Sequence, residues 1–311
     1  MNNQPAHNAL SRFAHLLRQA FVELNKNDPL RLAGATAFFT TFALPPILVI
    51  LIQMLGLIFN PRNISRQLFA TLSKMVGRES VQQLIDTLMA FRQLAQNWLI
   101  TIGGFIFLLF VATTLFKIIK GSINQIWKIR VVHRRGVWVS LKTRIKSVAV
   151  ILGAGILFAI GLMGEAAQAY LGQYIFEVSP LLARYFNSVL NHLISVGIVT
   201  LWFAIVFRFL PDARPAWKVV LVGALLTSVL FTIGKLVLRF LLTYSNINTV
   251  YGASGSIVLL LLFVFYSSLI LYYGATFTKL WAQHHHMPIR PRPYAMHYHL
   301  TEIDVDDEQP A

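Results

Sequence analysis

The chain of 311 residues contains no cysteine and few charged side chains. Without cysteine it has no disulfide framework, no thiol nucleophile and no thiolate metal site. Charged residues make up 13% of the chain, whereas an ordinary soluble domain carries about 25%. The motifs of nucleotide-binding loops, serine hydrolases and zinc proteases are also missing from the sequence. We therefore expect a protein that is not an enzyme and that has no catalytic residue, no cofactor and no metal site.

Hydrophobic residues make up 56% of the chain, and most of them fall in long apolar runs. A run of about 17–25 apolar residues is enough for an α-helix to cross the hydrocarbon core of a bilayer. The sequence therefore predicts an all-α, polytopic membrane protein with six transmembrane helices in a domain over residues 32–282. The predicted spans are Leu32–Phe59, Trp98–Ile119, Ile145–Ala167, Asn187–Leu210, Trp217–Leu242 and Gly255–Trp281.

Positive charge predicts how the spans are oriented. The basic loop 120–144 contains no acidic residue, and cytoplasmic loops carry an excess of Lys and Arg. Placing this loop in the cytoplasm also places the N-terminal segment 1–31, the 208–218 turn and the tail 283–311 there, so both termini are expected to be cytoplasmic. We therefore attribute the net charge of +15 to interaction with anionic membrane lipids, which are the expected partners. No specific nucleic acid is expected.

Two regions outside the spans have distinct compositions. Apolar residues recur at helical spacing in the segment 61–97, which predicts two amphipathic helices on the outer face. These helices either pack on the bundle or bind an envelope protein. The tail 283–311 is polar and ends in acidic residues, so we expect it to be disordered. Its five histidines, 284–286, 297 and 299, favour weak adventitious metal binding over a specific site.

Ionisable side chains within the spans are candidates for function, because charge is costly in lipid. Lys235 and Arg239 lie one turn apart in the fifth span, near its outer end. They either extend to the membrane surface or line an outer cavity that binds an anionic headgroup. His192 lies in the fourth span, and it either forms an interhelical hydrogen bond or has a functional role.

Breaks in the apolar pattern give the remaining candidates. The uncharged stretch 243–256 lies between two spans and either lines a cavity or forms a close-packed turn. We take five of its residues as ligand-binding candidates: Tyr244, Asn246, Asn248, Tyr251 and Gly252. In the first span, Pro45 and Pro46 remove two backbone donors in succession. We expect them to kink or break that helix and to act as a hinge.

Several local patterns are shared with one known family. They are Ala33–Phe39 followed by Leu44-Pro45-Pro46, Asn124 with Trp127, Phe209–Asp212, Gly223-Ala224, and Tyr251-Gly252 followed by Gly255. Over residues 15–282 the chain resembles the YihY / virulence factor BrkB family of bacterial inner-membrane proteins, formerly labelled ribonuclease BN. The resemblance implies six spans in the inner membrane with both termini inside. Thr276 stands where the family commonly has glutamate after Gly-Ala, so no role of that glutamate carries over.

Three functions are compatible with these features. The leading hypothesis is transport or translocation of a lipid-like or amphipathic anionic molecule, based on Lys235, Arg239, the 243–256 stretch and the proline pair. The alternative is a non-transporting scaffold or binding protein that uses 61–97 as its partner surface. Ribonuclease activity is the third and least supported hypothesis, because no metal-ligand set or histidine acid–base pair is evident. The oligomeric state is left open.

Overall fold

The computed structural model describes residues 9–56, 60–94, 98–132, 180–244 and 255–298, with the single positions 153, 156, 157, 160 and 161. Within these residues the fold is all-α, apart from four short strands. The helices are α1 Ala9–Asn25, α2 Pro29–Gly56, α3 Pro61–Val76, α4 Arg78–Leu94, α5 Trp98–Ile126, α6 Pro180–Phe209, α7 Trp217–Tyr244 and α8 Gly255–His284. The strands are β1 Ile129–Val131, β2 Ala213–Arg214, β3 Arg290–Pro291 and β4 Ala295–His297.

Five helices, α2 and α5 to α8, overlap five of the six predicted spans. Two stretches of the described chain are long and apolar enough to cross a membrane, Trp217–Leu238 in α7 and Ile257–His284 in α8. Leu193–Phe209 in α6 is a shorter apolar stretch. The third predicted span, Ile145–Ala167, lies outside the described residues except for single positions. The number of six spans therefore stays a prediction.

The core of the bundle forms around α8. This helix packs against α2 and α7, while α5 packs on α2 and α6 packs on α7. Trp127, Phe207 and Tyr272 are almost fully buried and belong to one apolar cluster. Each aromatic side chain of this kind removes about 150–250 Å² of surface from solvent. The cluster therefore fixes how the ends of α5 and α6 meet α8.

Residues 61–94 form the two amphipathic helices that the spacing in the segment 61–97 predicts, α3 and α4. Asn60 caps α3, because its side chain accepts a hydrogen bond from the backbone N–H of Arg62 at 3.0 Å. Pro61 occupies the first turn, where a missing N–H costs nothing. Gly77 separates α3 from α4 with a φ of 89°, a conformation that residues with a Cβ rarely adopt.

The apolar faces of α3 and α4 pack on the helical bundle. Leu68 and Leu84 form a buried cluster with Leu48 of α2. Val81 of α4 forms a second cluster that includes Leu260 of α8. These faces are therefore covered by the protein itself, as one of the two sequence-based alternatives for 61–97 expects.

Helix α1 lies in the N-terminal segment 1–31, for which the sequence predicts only a cytoplasmic location. Leu16 and Ala20 of α1 are buried against Phe277 of α8. The Glu23 carboxylate lies 2.9 Å from the Lys279 ammonium, which ties the same two helices together. The signal for α1 is the helical spacing of its apolar residues, which a search for long apolar runs overlooks.

Two short antiparallel ribbons use the C-terminal tail. In one, β1 pairs with β4 and places Ile129 opposite His297; in the other, β2 pairs with β3 and places Ala213 opposite Pro291. The prediction of a disordered tail is therefore wrong for residues 285–298. This part of the tail is ordered by backbone hydrogen bonds to segments that are distant in the sequence. The local composition of the tail gives no sign of these hydrogen bonds.

The basic end is our name for the end of the bundle where the α1–α2 turn, the C-terminal ends of α5, α6 and α8, and the start of α7 meet. Contacts across it include Lys128 to Asn27 and Asn124 to Asp212. It gathers the cations Lys26, Arg31, Lys120, Lys128, Arg130, Arg208, Arg214, Lys218, Lys279, Arg290 and Arg292. The positive-inside rule predicts that this end faces the cytoplasm.

Helix α2 passes through Pro45 and Pro46 as one helix from Pro29 to Gly56. The predicted break is therefore absent. Membrane helices accommodate proline because neighbouring helices and polar side chains satisfy the freed carbonyl groups. A bend of α2 at the two prolines stays a prediction.

Candidate functional site

A groove of about 1000 Å³ lies between α1, α2, α7 and α8, and we call it the lateral groove. Its apolar wall on α7 and α8 consists of Leu230, Leu269, Ile270 and Tyr273. This volume is at the upper end of the range of about 300–1,000 Å³ for small-molecule sites. The groove is a surface feature, because its lining residue Phe21 is 59% exposed.

The rim of the lateral groove is polar where α1 turns into α2. Asn25, Asp28 and Arg31 line this part of the groove. Asp28 and Arg31 form an exposed ion pair, with 3.4 Å between Arg31 Nη2 and Asp28 Oδ2. Such a pair is weakly held in water, so either side chain is free to exchange its partner for a ligand. The groove thus combines an apolar body with a charged edge at the basic end.

A buried carboxylate, Asp212, fastens the basic end. Its Oδ1 lies 2.9 Å from Lys120 Nζ and accepts a hydrogen bond from the Tyr294 hydroxyl at 2.9 Å. Its Oδ2 accepts a hydrogen bond from Asn124 Nδ2 at 3.0 Å, and its backbone N–H donates to Asn124 Oδ1 at 2.9 Å. Its carbonyl accepts from the backbone N–H of Arg292 at 3.0 Å. We call these five residues the Asp212 network.

The electrostatics of the Asp212 network favour an ionised carboxylate. Burial opposes ionisation, but the hydrogen bond and positive charge of Lys120, with hydrogen bonds from Tyr294 and Asn124, lower the pKa of Asp212 below its ordinary value. Both carboxylate oxygens are already occupied by donors. Asp212 is therefore arranged to hold α5, the α6–α7 turn and the C-terminal tail together, and it has no proton to donate.

A second close contact joins α7 and α8. A Cβ built on Gly223 would overlap the Thr278 hydroxyl and lie 2.9 Å from Thr278 Cβ. A Cβ built on Gly274 would likewise overlap the Thr227 hydroxyl and lie 2.9 Å from Thr227 Cβ. Small residues let membrane helices approach this closely. The Gly-Ala pairs at 223 and 274 therefore have a packing role, which the sequence patterns alone do not reveal.

Trp127 connects the end of α5 to the same region of α8. Its indole Nε1–H donates to the carbonyl of Ala275 at 2.9 Å, and the side chain is 2% exposed. This hydrogen bond satisfies the one polar group of a buried tryptophan. Trp127 and Asn124, which form one sequence motif, thus bind two different partners at the basic end.

The residues predicted as a ligand site are described only in part. Lys235 is half-buried in α7, and its Nζ lies 5.4 Å from the centroid of the Phe231 ring. For Arg239, Tyr244 and His192 the structure describes the helical backbone but not the side chains. The other four, Asn246, Asn248, Tyr251 and Gly252, lie outside the described residues. Their grouping into one site stays a prediction.

Pro45 lines a small cavity of about 250 Å³ between α2, α4, α5 and α8. Thr41, Ser80 and Gln83 lie in the same lining. Proline at position 45 has no N–H for the carbonyl of Thr41, which is four residues earlier in the helix. The cavity thus places polar side chains beside the position where the helical ladder of α2 lacks one donor. The Pro46 side chain is not among those described.

Sequence reasoning missed the lateral groove and the Asp212 network as candidate sites. The groove is formed by four helices, and no local pattern marks its lining. Asp212 carries a signal, because it is the single acidic residue among the cations of the 208–218 turn. A buried carboxylate needs a cation or several donors, and Lys120 and Asn124 lie on one face of α5 at i and i+4.

Comparison with known proteins identifies the family. The virulence factor BrkB family matches residues 20–297. A membrane protein of the UPF0761 group from Alcanivorax borkumensis is 24% identical over 278 residues, covering 89% of this chain and 62% of that protein. The Chromohalobacter salexigens relative is 25% identical, with 83% of this chain and 61% of that protein covered. The Pseudomonas aeruginosa LESB58 relative is 26% identical, with coverages of 85% and 61%.

The chain thus spans about three fifths of the length of these relatives. No solved structure matches it. The family match covers most of the described helices, including α2 and α5. It also covers the residues of the Asp212 network and both Gly-Ala pairs of the α7–α8 contact. The relatives are bacterial and are named as membrane proteins, in agreement with the two apolar stretches of α7 and α8. The chain belongs to the virulence factor BrkB family of bacterial membrane proteins.

Proposed function

We propose that the protein transports or translocates a lipid-like or amphipathic anion in the bacterial inner membrane, with both termini in the cytoplasm. The observation that carries this proposal is the lateral groove, which has a volume of about 1000 Å³, an apolar body and a charged rim. An amphipathic anion has the same division, with apolar chains and a charged head. No step of the proposal requires a cofactor.

The apolar wall suits an acyl chain. Leu230, Leu269 and Ile270 present aliphatic side chains from two adjacent helices, so a chain lying there gains contact along its length. The exposed Phe21 and Leu30 border the same surface, which leaves the groove accessible from the side. A lipid can therefore enter from the bilayer without first passing through water.

Two cations are candidate contacts for an anionic headgroup. Arg31 lies at the rim near the basic end, and Lys235 lies five residues beyond Leu230 on α7, or about 7.5 Å farther along the helix axis. Five residues also turn an α-helix by about 140°, so Lys235 lies outside the groove lining, and we propose it as a second headgroup contact beyond the groove. In lipid an isolated cation is costly, and an anionic headgroup offsets that cost.

The test is to fill the groove and measure lipid movement. The purified chain is reconstituted in liposomes with fluorescent phosphatidylglycerol, and movement between leaflets is followed by dithionite quenching. We expect Leu269→Trp to reduce the rate to that of protein-free vesicles, because the indole occupies the groove. The matched control is Leu262→Trp, on the same helix at a position 41% exposed and outside the groove lining.

Equal rates for wild type and protein-free vesicles would refute translocation of this lipid class. Equal rates for wild type and Leu269→Trp would refute the groove as the path. The scaffold hypothesis remains an alternative, in which 61–97 binds an envelope protein. The buried faces of α3 and α4 are unavailable to such a partner, so it would have to bind their polar faces.

A further inference from the structure

A second cavity, of about 610 Å³, lies at the basic end and does not share lining residues with the lateral groove. It is formed by the end of α1, the residues just after α5, the end of α8 and the strand β4. We call it the basic pocket. The residues that concern its charge are Glu23, Lys26, Lys128, Lys279, His297 and Tyr298.

The wall of the basic pocket carries more positive than negative charge. Lys279 Nζ lies 2.9 Å from Glu23 Oε1, and Lys26 Nζ lies 4.0 Å from Glu23 Oε2, so two ammonium groups share one carboxylate. Lys128 Nζ has a neutral partner, Asn27 Oδ1, at 3.3 Å. Among the described residues no carboxylate oxygen lies within 4.0 Å of Lys128 Nζ. The wall of the cavity thus carries three ammonium groups and one carboxylate.

The backbone at Lys128 is in an unusual conformation for a lysine. Its φ is 54°, in the left-handed region where a helix usually ends in glycine. The backbone N–H of Tyr298 donates to the Lys128 carbonyl at 3.1 Å, so this residue also joins the pocket wall to the C-terminal tail. A half-buried lysine that occupies a glycine position and has no carboxylate partner in the described part of the chain is poorly explained by stability alone.

We propose that the basic pocket binds the phosphate group of a phosphorylated small molecule or of a lipid headgroup. Lysine ammonium groups are compact charges that bind phosphate, and a concave wall with an excess of positive charge concentrates anions from solution. Lys128 supplies a cation that has no carboxylate partner among the described residues, Lys26 and Lys279 add the second and third, and Tyr298 also lines the pocket. This site is independent of the proposed translocation, since it requires binding alone.

The test uses the full chain in nanodiscs of phosphatidylcholine, with inorganic pyrophosphate as the probe and isothermal titration calorimetry as the readout. We expect Lys128→Gly to weaken binding by about tenfold or more, because a charge-assisted contact is lost. Glycine suits the left-handed conformation, so this variant keeps the fold. We expect Glu23→Gln to tighten binding, a gain that misfolding cannot produce. The control is Lys218→Ala, an exposed lysine at the basic end that is not in the pocket lining.

Two further arms separate the sources of the phosphate. If lipid headgroups occupy the pocket, nanodiscs that contain phosphatidic acid will suppress pyrophosphate binding. If the ligand is a soluble phosphorylated molecule, phosphatidic acid will leave pyrophosphate binding unchanged. Absence of pyrophosphate binding to the wild type in phosphatidylcholine would overturn the proposal. Equal weakening by Lys218→Ala and Lys128→Gly would also overturn it, because the effect would then belong to the general charge of the basic end.

Discussion

Replacement of Asp212 by asparagine is the most direct test of how the basic end is held together. The carboxylate takes three side-chain donors on its two oxygens: Lys120 and Tyr294 on Oδ1, and Asn124 on Oδ2. An amide has one acceptor oxygen and one donor nitrogen. In Asp212→Asn the amide nitrogen must therefore face a donor, and Lys120 loses its counter-charge.

The structure sets the size of the effect. The Asp212 side chain is 2% exposed and the Lys120 side chain 15% exposed. Removing one partner of a buried ion pair costs about 3–5 kcal/mol, and the partial exposure of Lys120 favours the lower end of that range. At roughly 2–4 °C per kcal/mol, a loss of about 3 kcal/mol lowers the thermal midpoint by about 6–12 °C.

A double-mutant cycle separates the ion pair from the rest of the network. The thermal midpoint of the detergent-solubilised protein is measured for Asp212→Asn, for Lys120→Met and for the double variant. We expect each single change to be strongly destabilising and the double variant to lose much less than their sum, because no charge remains buried alone. Additive losses would refute the conclusion that Lys120 and Asp212 act as a pair.

The lowered pKa of Asp212 predicts that the destabilisation caused by Asp212→Asn depends on pH. Because this pKa is lowered in the folded protein, the stabilisation it provides is fully present above the ordinary value of 3.8. It is lost as the pH falls through the folded pKa, which lies below 3.8. The difference in thermal midpoint between wild type and Asp212→Asn should therefore be constant near neutral pH and should narrow in strong acid. A difference that widens in acid would contradict this assignment.

Two other predictions concern helices α7 and α8. Gly274→Ala should cost about 1–3 kcal/mol, because its Cβ overlaps the Thr227 hydroxyl, and adding Thr227→Ala should restore part of the thermal midpoint. No loss in Gly274→Ala would mean that the two helices separate easily. Lys235→Ala combined with Arg239→Ala should slow the movement of fluorescent phosphatidylglycerol more than that of phosphatidylcholine in the liposome assay. Unchanged rates for both lipids would refute these two cations as headgroup contacts.

Elements with a strong local pattern were predictable from the sequence. Helices occur at the predicted spans of α2 and α5 to α8, since a long apolar run in lipid must satisfy its backbone internally. The amphipathic pair α3 and α4 followed from the spacing of apolar residues, and the structure adds that Gly77 separates the two helices. The helix break expected at Pro45 and Pro46 does not occur, because the surrounding helices outweigh the tendency of proline to interrupt a helix.

The candidate sites were much less predictable. The residues chosen from sequence were polar exceptions within apolar runs, such as Lys235, whereas the lateral groove and the basic pocket are lined by ordinary residues from several elements. Lys128 looked like one cation among many in a basic loop. Its separation from any described carboxylate and its left-handed backbone appear only when α1, α5, α8 and β4 are brought together.

Composition and periodicity by themselves determined that this chain is a helical membrane protein, and its motifs indicated the family to which it belongs. These properties depend on the free energy of placing an apolar helix in lipid and of placing cations at a membrane surface. Each segment contributes these free energies independently of the others. Only the tertiary structure decided that Asp212 is fastened to Lys120, that Gly274 lies against Thr227, and that the tail to residue 298 is ordered. These contacts join residues 47 to 170 positions apart, and no segment contains the partner that makes its conformation stable.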